Sequence, residues 1–92
     1  PFGAMEDEEK KGHYDACIMD WTLCDMRDNK GENWPVIVGD VWSDKLSRWH
    51  DGTRIRTGIV RSMPELPLRF GDLIRTKTSS YLLGRPSGET IQ

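Results

Sequence analysis

The stretch Trp34-Pro35-Val36-Ile37-Val38-Gly39-Asp40-Val41-Trp42 carries the clearest structural signal in this sequence of 92 residues. Trp34 precedes a proline, and a residue in that position avoids the α conformation and favours an extended one. Residues 36–42 are rich in β-branched and aromatic side chains, which favour strands. The stretch therefore predicts a β-strand, from which the rest of the chain can be interpreted in both directions.

On the C-terminal side, a polar connection over residues 43–51 ends in the turn dipeptide Asp51-Gly52. Residues 53–60 then alternate, which predicts a strand with one buried and one basic face. The buried face would carry Thr53, Ile55, Thr57 and Ile59, and the other face Arg54, Arg56 and Gly58. Two prolines within residues 64–67 predict an extended loop, and residues 73–77 and 81–83 predict two further short strands.

On the N-terminal side, residues 14–26 precede a turn at residues 28–31, which predicts a strand followed by a turn. A helix over residues 14–23 is the alternative, because several apolar residues there also lie three or four positions apart. Cys17 and Cys24 are an odd number of residues apart and would face opposite sides of one strand. We therefore expect two free thiols, buried or half-buried, in a reducing compartment.

Short strands separated by Gly, Pro and Asp predict a mainly β fold of about five strands with little helix. The expected architecture is a single small twisted sheet or an SH3-like or OB-like barrel, and closure is favoured because it removes exposed strand edges. We assign residues 1–4 to a vector-derived remnant, 5–13 to an acidic disordered tail, 14–86 to the small β-barrel domain and 87–92 to a flexible tail. From 92 residues we expect one small domain and no cleft between two domains.

The charge of the chain is unevenly distributed, although the formal net charge is only −2. Residues 1–46 contain eleven acidic and five basic side chains, whereas residues 47–92 contain four acidic and eight basic ones. The basic half could meet nucleic acid or an acidic protein, or the two halves could pair with each other within one sheet. No apolar run is long enough to span a bilayer, so we expect a soluble cytoplasmic protein without a membrane partner.

The sequence contains no motif that identifies an enzyme. Its possible metal ligands lack the spacing of a zinc site, and they are His13, Cys17, Asp20, Cys24 and His50. No serine or cysteine lies in a nucleophile elbow, and the glycines occur singly rather than in a phosphate-binding loop. We therefore expect no catalytic residue, no metal and no cofactor.

Aromatic and basic residues provide the candidate binding site, because small β-barrels hold single-stranded nucleic acid by stacking and by cations. The candidates are Arg48, Trp49, Arg54, Arg56, Arg75, Lys77 and Tyr81. Trp21 and Trp42 are expected in the core, whereas Trp49 is equally compatible with burial and exposure. A pI of about 5.6 argues against a dedicated nucleic-acid binder.

Three segments together resemble a recurrent pattern. They are Gly39-Asp40-Val41 with Asp44, then Arg48-Trp49-His50-Asp51-Gly52-Thr53-Arg54-Ile55-Arg56-Thr57, and finally residues 76–84 with Thr76, Ser79, Tyr81 and Gly84. The pattern is similar to one in a loose group of small uncharacterised bacterial proteins, often encoded on phages, plasmids or other mobile elements. Where that group usually has Arg-Phe, this chain has Arg48-Trp49. The resemblance implies no catalytic residue and favours a protein that acts by occupying a host protein.

These observations lead to one expected function and two alternatives. We expect a non-enzymatic small β module that binds another protein or associates with itself. The first alternative is a binder of single-stranded nucleic acid through its aromatic and arginine residues. A small-ligand-binding barrel or an enzyme of unknown chemistry is the second alternative, and it requires a concave pocket with converging polar groups.

Overall fold

A long antiparallel hairpin forms the centre of the fold. In the computed structural model, which describes residues 14–88, β1 (Ala16–Arg27) pairs with β2 (Asn33–Trp42). In the turn between them, Asp28 Oδ1 accepts hydrogen bonds from the N–H groups of Lys30 and Glu32, both at 2.9 Å. Gly31 has φ of 83°, a left-handed conformation that glycine adopts without steric cost. The predicted strand and turn are confirmed, and the alternative helix over residues 14–23 is wrong.

Three short strands complete the sheet, namely β3 (Thr53–Arg56), β4 (Leu73–Arg75) and β5 (Ser80–Leu83). The strand order is β3-β2-β1-β5-β4, with β5 parallel to β1 and the other pairs antiparallel. The predicted mainly β fold with five strands is confirmed, and residues 14–88 contain no helix. Because β3 and β4 form opposite edges and do not pair, the preference for a closed barrel is wrong and the single small sheet is confirmed.

Residues 57–62 explain why the predicted strand over residues 53–60 ends early and why the sheet stays open. The N–H groups of Thr57 and Val60 donate to the carbonyls of Ile37 and Pro35 on β2, both at 2.8 Å. The next N–H group, that of Arg61, instead donates to the carbonyl of Arg75 on β4 at 2.7 Å. The segment thus crosses from one edge of the sheet to the other and pairs only locally with each.

The hydrophobic core lies on one face of the sheet. Trp21 belongs to it and donates a buried hydrogen bond from Nε1 to the carbonyl of Gly84 at 2.7 Å. Burying these apolar side chains supplies most of the favourable free energy of folding. The other buried members of the core are Ala16, Ile18, Ile37, Val41, Ile55, Val60, Ile74, Tyr81 and Leu83.

A β-bulge interrupts the pairing of β1 with β2. The register shifts between Met19 and Thr22, so that two residues of β1 lie opposite Gly39. One of the two, Asp20, has φ of 51°. A Cβ atom on Gly39 would lie 2.5 Å from Ile18 Cγ2 and 2.9 Å from the carbonyl oxygen of Met19, so the bulge requires glycine here.

The bulge also changes which side chains share a face. Cys17 lies opposite Trp42 and Cys24 lies opposite Val36, and these two β2 residues are six positions apart on a regular strand. Both cysteines therefore lie on the same face, and the prediction that they face opposite sides is wrong because the bulge shifts the alternation by one residue. Both are half-buried and free.

The tryptophans divide between the two faces of the sheet. Trp21 is buried as predicted, and Trp49 is half-buried against the core. Trp42 is 43% exposed, so its predicted core position is wrong. It lies on the face opposite the core, and within residues 14–88 no second layer of secondary structure covers that face.

The ion pairs connect the acidic half of the chain to the basic half. Each pair within residues 14–88 joins an aspartate before residue 47 to an arginine after it. Asp40–Arg54 joins neighbouring strands, as the interpretation that the two halves pair within one sheet requires, whereas Asp44–Arg48 is a local pair four residues apart. The pairs are Asp44–Arg48 at 3.0 Å, Asp40–Arg54 at 3.2 Å and Asp20–Arg85 at 3.5 Å.

Candidate binding surface

The connection over residues 43–51 is organised by the carboxylate of Asp44. One of its oxygens accepts hydrogen bonds from the N–H groups of Arg48 and Trp49 at 2.6 and 3.2 Å, and the other accepts that of Leu46 at 3.2 Å. Short polar side chains at the start of a loop commonly satisfy the backbone in this way. A single acidic residue thus holds the backbone that presents Arg48 and Trp49.

Arg48 joins this connection to the start of β5. Its Nη2 lies 3.0 Å from Asp44 Oδ1, and its Nη1 donates to Ser79 Oγ at 2.7 Å. The hydrogen bond from the Arg48 side chain, together with the backbone N–H groups, lowers the pKa of Asp44 to about 2. The Arg48 guanidinium also lies 4.4 Å from the ring centroid of Trp49 and 5.8 Å from that of Tyr81. Arg48 therefore stabilises the fold through these contacts, independently of any ligand.

A depression of about 410 Å³ lies beside Arg48, between residues 56–61 and residues 76–78. Four cationic side chains line it, those of Arg48, Arg56, Arg61 and Lys77, and none of its lining residues is acidic. Within residues 14–88, the last three form no ion pair. The remaining lining residues are Trp49, Thr57, Gly58, Ile59, Thr76, Thr78 and Tyr81. We call this surface the basic depression.

Five of the seven candidate residues from the sequence line the basic depression, and these are Arg48, Trp49, Arg56, Lys77 and Tyr81. Arg54 lies outside it, where it pairs with Asp40 across β2 and β3. Arg75 is exposed on β4 but does not line the depression. Sequence reasoning missed Arg61, because only the crossing of residues 57–62 towards β4 places it near Lys77.

The aromatic rings of the basic depression are largely covered. Tyr81 is 3% exposed and belongs to the core. Trp49 is half-buried and has the Arg48 guanidinium over its ring. Tyr81 therefore offers almost no exposed ring surface, and Arg48 covers one face of the Trp49 ring. Arg56, Arg61, Lys77 and Thr78 are the exposed side chains around the depression beside Arg48.

A second concave surface is apolar and lies beside the middle of β1. This groove of about 620 Å³ is lined by Trp21, Thr22, Leu23, Leu66, Pro67, Leu68, Pro86 and Ser87. It contains no charged lining residue, so it does not complement an acidic ligand.

The described residues meet neither the requirements of a metal site nor those of a membrane-spanning helix. Within residues 14–88, no three His, Cys, Asp or Glu side chains are grouped so that they could hold a metal ion. His13 lies outside the described residues. The same part of the chain contains no helix with the length and apolarity that crossing a membrane requires. Comparison with known proteins adds no relative, since no protein-family model, curated protein or solved structure matches the chain.

Proposed function

We propose that this protein is a non-enzymatic binding module that holds an acidic segment of another protein in its basic depression. The observation that carries the proposal is the meeting of four cationic side chains around a concavity with no acidic lining residue. Three of these cations, on Arg56, Arg61 and Lys77, are exposed and have no ion-pair partner within residues 14–88. Arginine forms paired hydrogen bonds with carboxylates, so glutamate and aspartate side chains fit this surface.

Two observations favour a protein partner over single-stranded nucleic acid. Nucleic-acid modules of this size obtain much of their affinity from bases stacked on exposed aromatic rings, and here Tyr81 is buried and Trp49 is covered by Arg48. The formal net charge of −2 also repels a long polyanion at a distance. A short acidic segment can use the local positive charge without this penalty.

Fluorescence anisotropy with a labelled hexaglutamate peptide tests the proposal. The wild-type protein should bind the peptide with an affinity that falls as the salt concentration rises, and it should not bind a hexalysine peptide. Replacing Arg61 by glutamate should weaken hexaglutamate binding at least about tenfold, because it places a like charge beside the peptide. The matched control is Arg69→Glu, since Arg69 is an exposed arginine outside the basic depression.

Three outcomes would contradict the proposal. These are no hexaglutamate binding at low salt, equal losses for Arg61→Glu and Arg69→Glu, or binding that is independent of salt. An oligothymidylate that binds more tightly than hexaglutamate, and loses affinity on Arg61→Glu, would instead establish the nucleic-acid alternative. Circular dichroism of each variant shows whether the fold is retained.

A further inference from the structure

Within residues 14–88, the second half of β1 has an edge that pairs with no other strand. At Trp21 that edge is occupied, because its N–H donates to the carbonyl of Arg85 at 3.4 Å and its carbonyl accepts the N–H of Ser87 at 2.8 Å. Both backbone groups of Trp21 thus point away from β2. Since the direction of backbone groups alternates along a strand, those of Leu23, Asp25 and Arg27 point to the same edge.

Within residues 14–88, no neighbouring strand meets these three residues. Within residues 14–88, no backbone hydrogen bond other than the β1–β2 ladder reaches residues 23–27, and β2 occupies the opposite edge. In the described part of the chain, three N–H and three C=O groups on this edge thus have no backbone partner. Such an edge is a template for strand addition unless its side chains prevent it.

The side chains along this edge carry opposite charges two positions apart. Asp25 and Arg27 are both exposed, lie on the same face of β1, and form no ion pair within residues 14–88. Edge charges of one sign would repel an identical strand, but one acid and one base can complement each other in an antiparallel copy.

We propose that two copies of this protein associate by antiparallel pairing of their β1 edges about a two-fold axis at Met26. In this register Asp25 lies opposite Arg27 of the second copy, and Arg27 lies opposite its Asp25. The backbone groups of these residues point at each other, so each pair exchanges two hydrogen bonds and the dimer gains four. The two sheets become one continuous sheet. This proposal does not depend on the basic depression.

The neighbouring symmetric registers are less favourable. An axis at Asp25 places the two Asp25 carboxylates directly opposite each other, which is destabilising. An axis at Cys24 places Arg27 of one copy opposite Trp21 of the other, where Arg85 and Ser87 already occupy the edge. The Asp25 register would exchange six backbone hydrogen bonds rather than four, so the charges of Asp25 and Arg27 are what favour the axis at Met26 over it. The occupied edge at Trp21 disfavours the axis at Cys24.

Charge reversal tests the proposed contact without relying on a loss of folding. We expect the wild-type chain to dimerise with rising concentration in sedimentation equilibrium. Asp25→Arg and Arg27→Asp should each weaken self-association at least about tenfold, because each places like charges opposite each other. An equimolar mixture of the two variants should form a heterodimer, since arginines at both positions then face aspartates.

Cysteine cross-linking tests the position of the axis. A non-hydrogen-bonded antiparallel pair has Cα atoms about 4.5 Å apart, a distance that a disulfide can span. In a Cys17→Ser/Cys24→Ser background, Met26→Cys should therefore oxidise to a covalent dimer. Thr22→Cys is the matched control, because it lies on the same face of β1 but away from the axis.

A wild-type chain that stays monomeric at millimolar concentration would overturn the proposal. So would single variants that dimerise like the wild type, a variant mixture that does not associate, or cross-linking of Thr22→Cys as efficient as that of Met26→Cys.

Discussion

Replacing Asp44 by asparagine should destabilise the protein in a pH-dependent way. The side chain of Asp44 is fully buried and accepts hydrogen bonds from three backbone N–H groups and from Arg48. Asparagine is nearly isosteric, but it has no negative charge and only one acceptor oxygen. The variant therefore weakens the contacts that hold residues 43–51 without creating a cavity.

The pKa of Asp44 sets the size and the sign of the effect. A pKa lowered from 3.8 to about 2 corresponds at most to about 2.5 kcal/mol of stability. The Arg48 side chain is 28% exposed, so solvent screening reduces the expected value to about 1 kcal/mol. Because the folded pKa lies below the unfolded one, this stability is fully present above pH ~4 and is lost as the pH falls through ~2.

Urea unfolding followed by tryptophan fluorescence measures the effect. The free energy of unfolding of Asp44→Asn should lie about 1 kcal/mol below that of the wild type at pH 6, and the difference should shrink to a few tenths of a kcal/mol at pH 2. Glu65→Gln is the control, because Glu65 is exposed on the loop over residues 64–67 and surface changes of this kind alter stability by less than about 0.5 kcal/mol.

Two results would refute this reasoning. If the free energy of unfolding of Asp44→Asn lay below that of the wild type by the same amount at pH 2 and pH 6, the carboxylate charge would not be the cause of the difference. If Asp44→Asn were as stable as the wild type at pH 6, the contact between Asp44 and Arg48 would contribute nothing to the stability of the fold.

Two further substitutions test the sheet by the same urea assay. Thr57→Val should cost about 1–3 kcal/mol, because the Thr57 hydroxyl accepts the N–H of Ile37 at 3.0 Å and valine leaves that buried donor unpaired. Thr57→Ser retains the acceptor and should cost clearly less, and equal losses would contradict this account. Gly39→Ala should cost about 1–3 kcal/mol, because its Cβ would clash with Ile18 and with the carbonyl of Met19 at the bulge. A stable Gly39→Ala protein would show that the bulge can relax.

The two proposed interactions use different parts of the molecule. The self-association edge is at residues 23–27 of β1, whereas the basic depression is formed by Arg48, Arg56, Arg61 and Lys77. A dimer would present two basic depressions to an acidic partner, and linked sites bind more tightly than single ones when both can be occupied together. Asp25 does not line the basic depression, so Asp25→Arg should leave hexaglutamate binding unchanged while it weakens self-association.

Most of the candidate residues of the basic depression could be predicted from the sequence, because the patterns that indicate them involve only neighbouring residues. Arg48 and Trp49 stand out within a short polar connection, and Arg56 follows from the alternation over residues 53–60. Arg61 has no such signal, since its place depends on residues 57–62 crossing to β4. Arg75 lies outside the depression because it follows the buried Ile74 on β4 and therefore points to the face opposite the core.

The sequence by itself determined the strands and turns of this protein, because β-branched residues, alternation and turn residues act through the backbone next to them. Tertiary structure alone decided that the sheet stays open, that a bulge at Gly39 puts Cys17 and Cys24 on one face, and that Trp42 is exposed. These outcomes depend on contacts between residues far apart in the chain. A period of two residues predicts which side chains share a face only while no bulge intervenes.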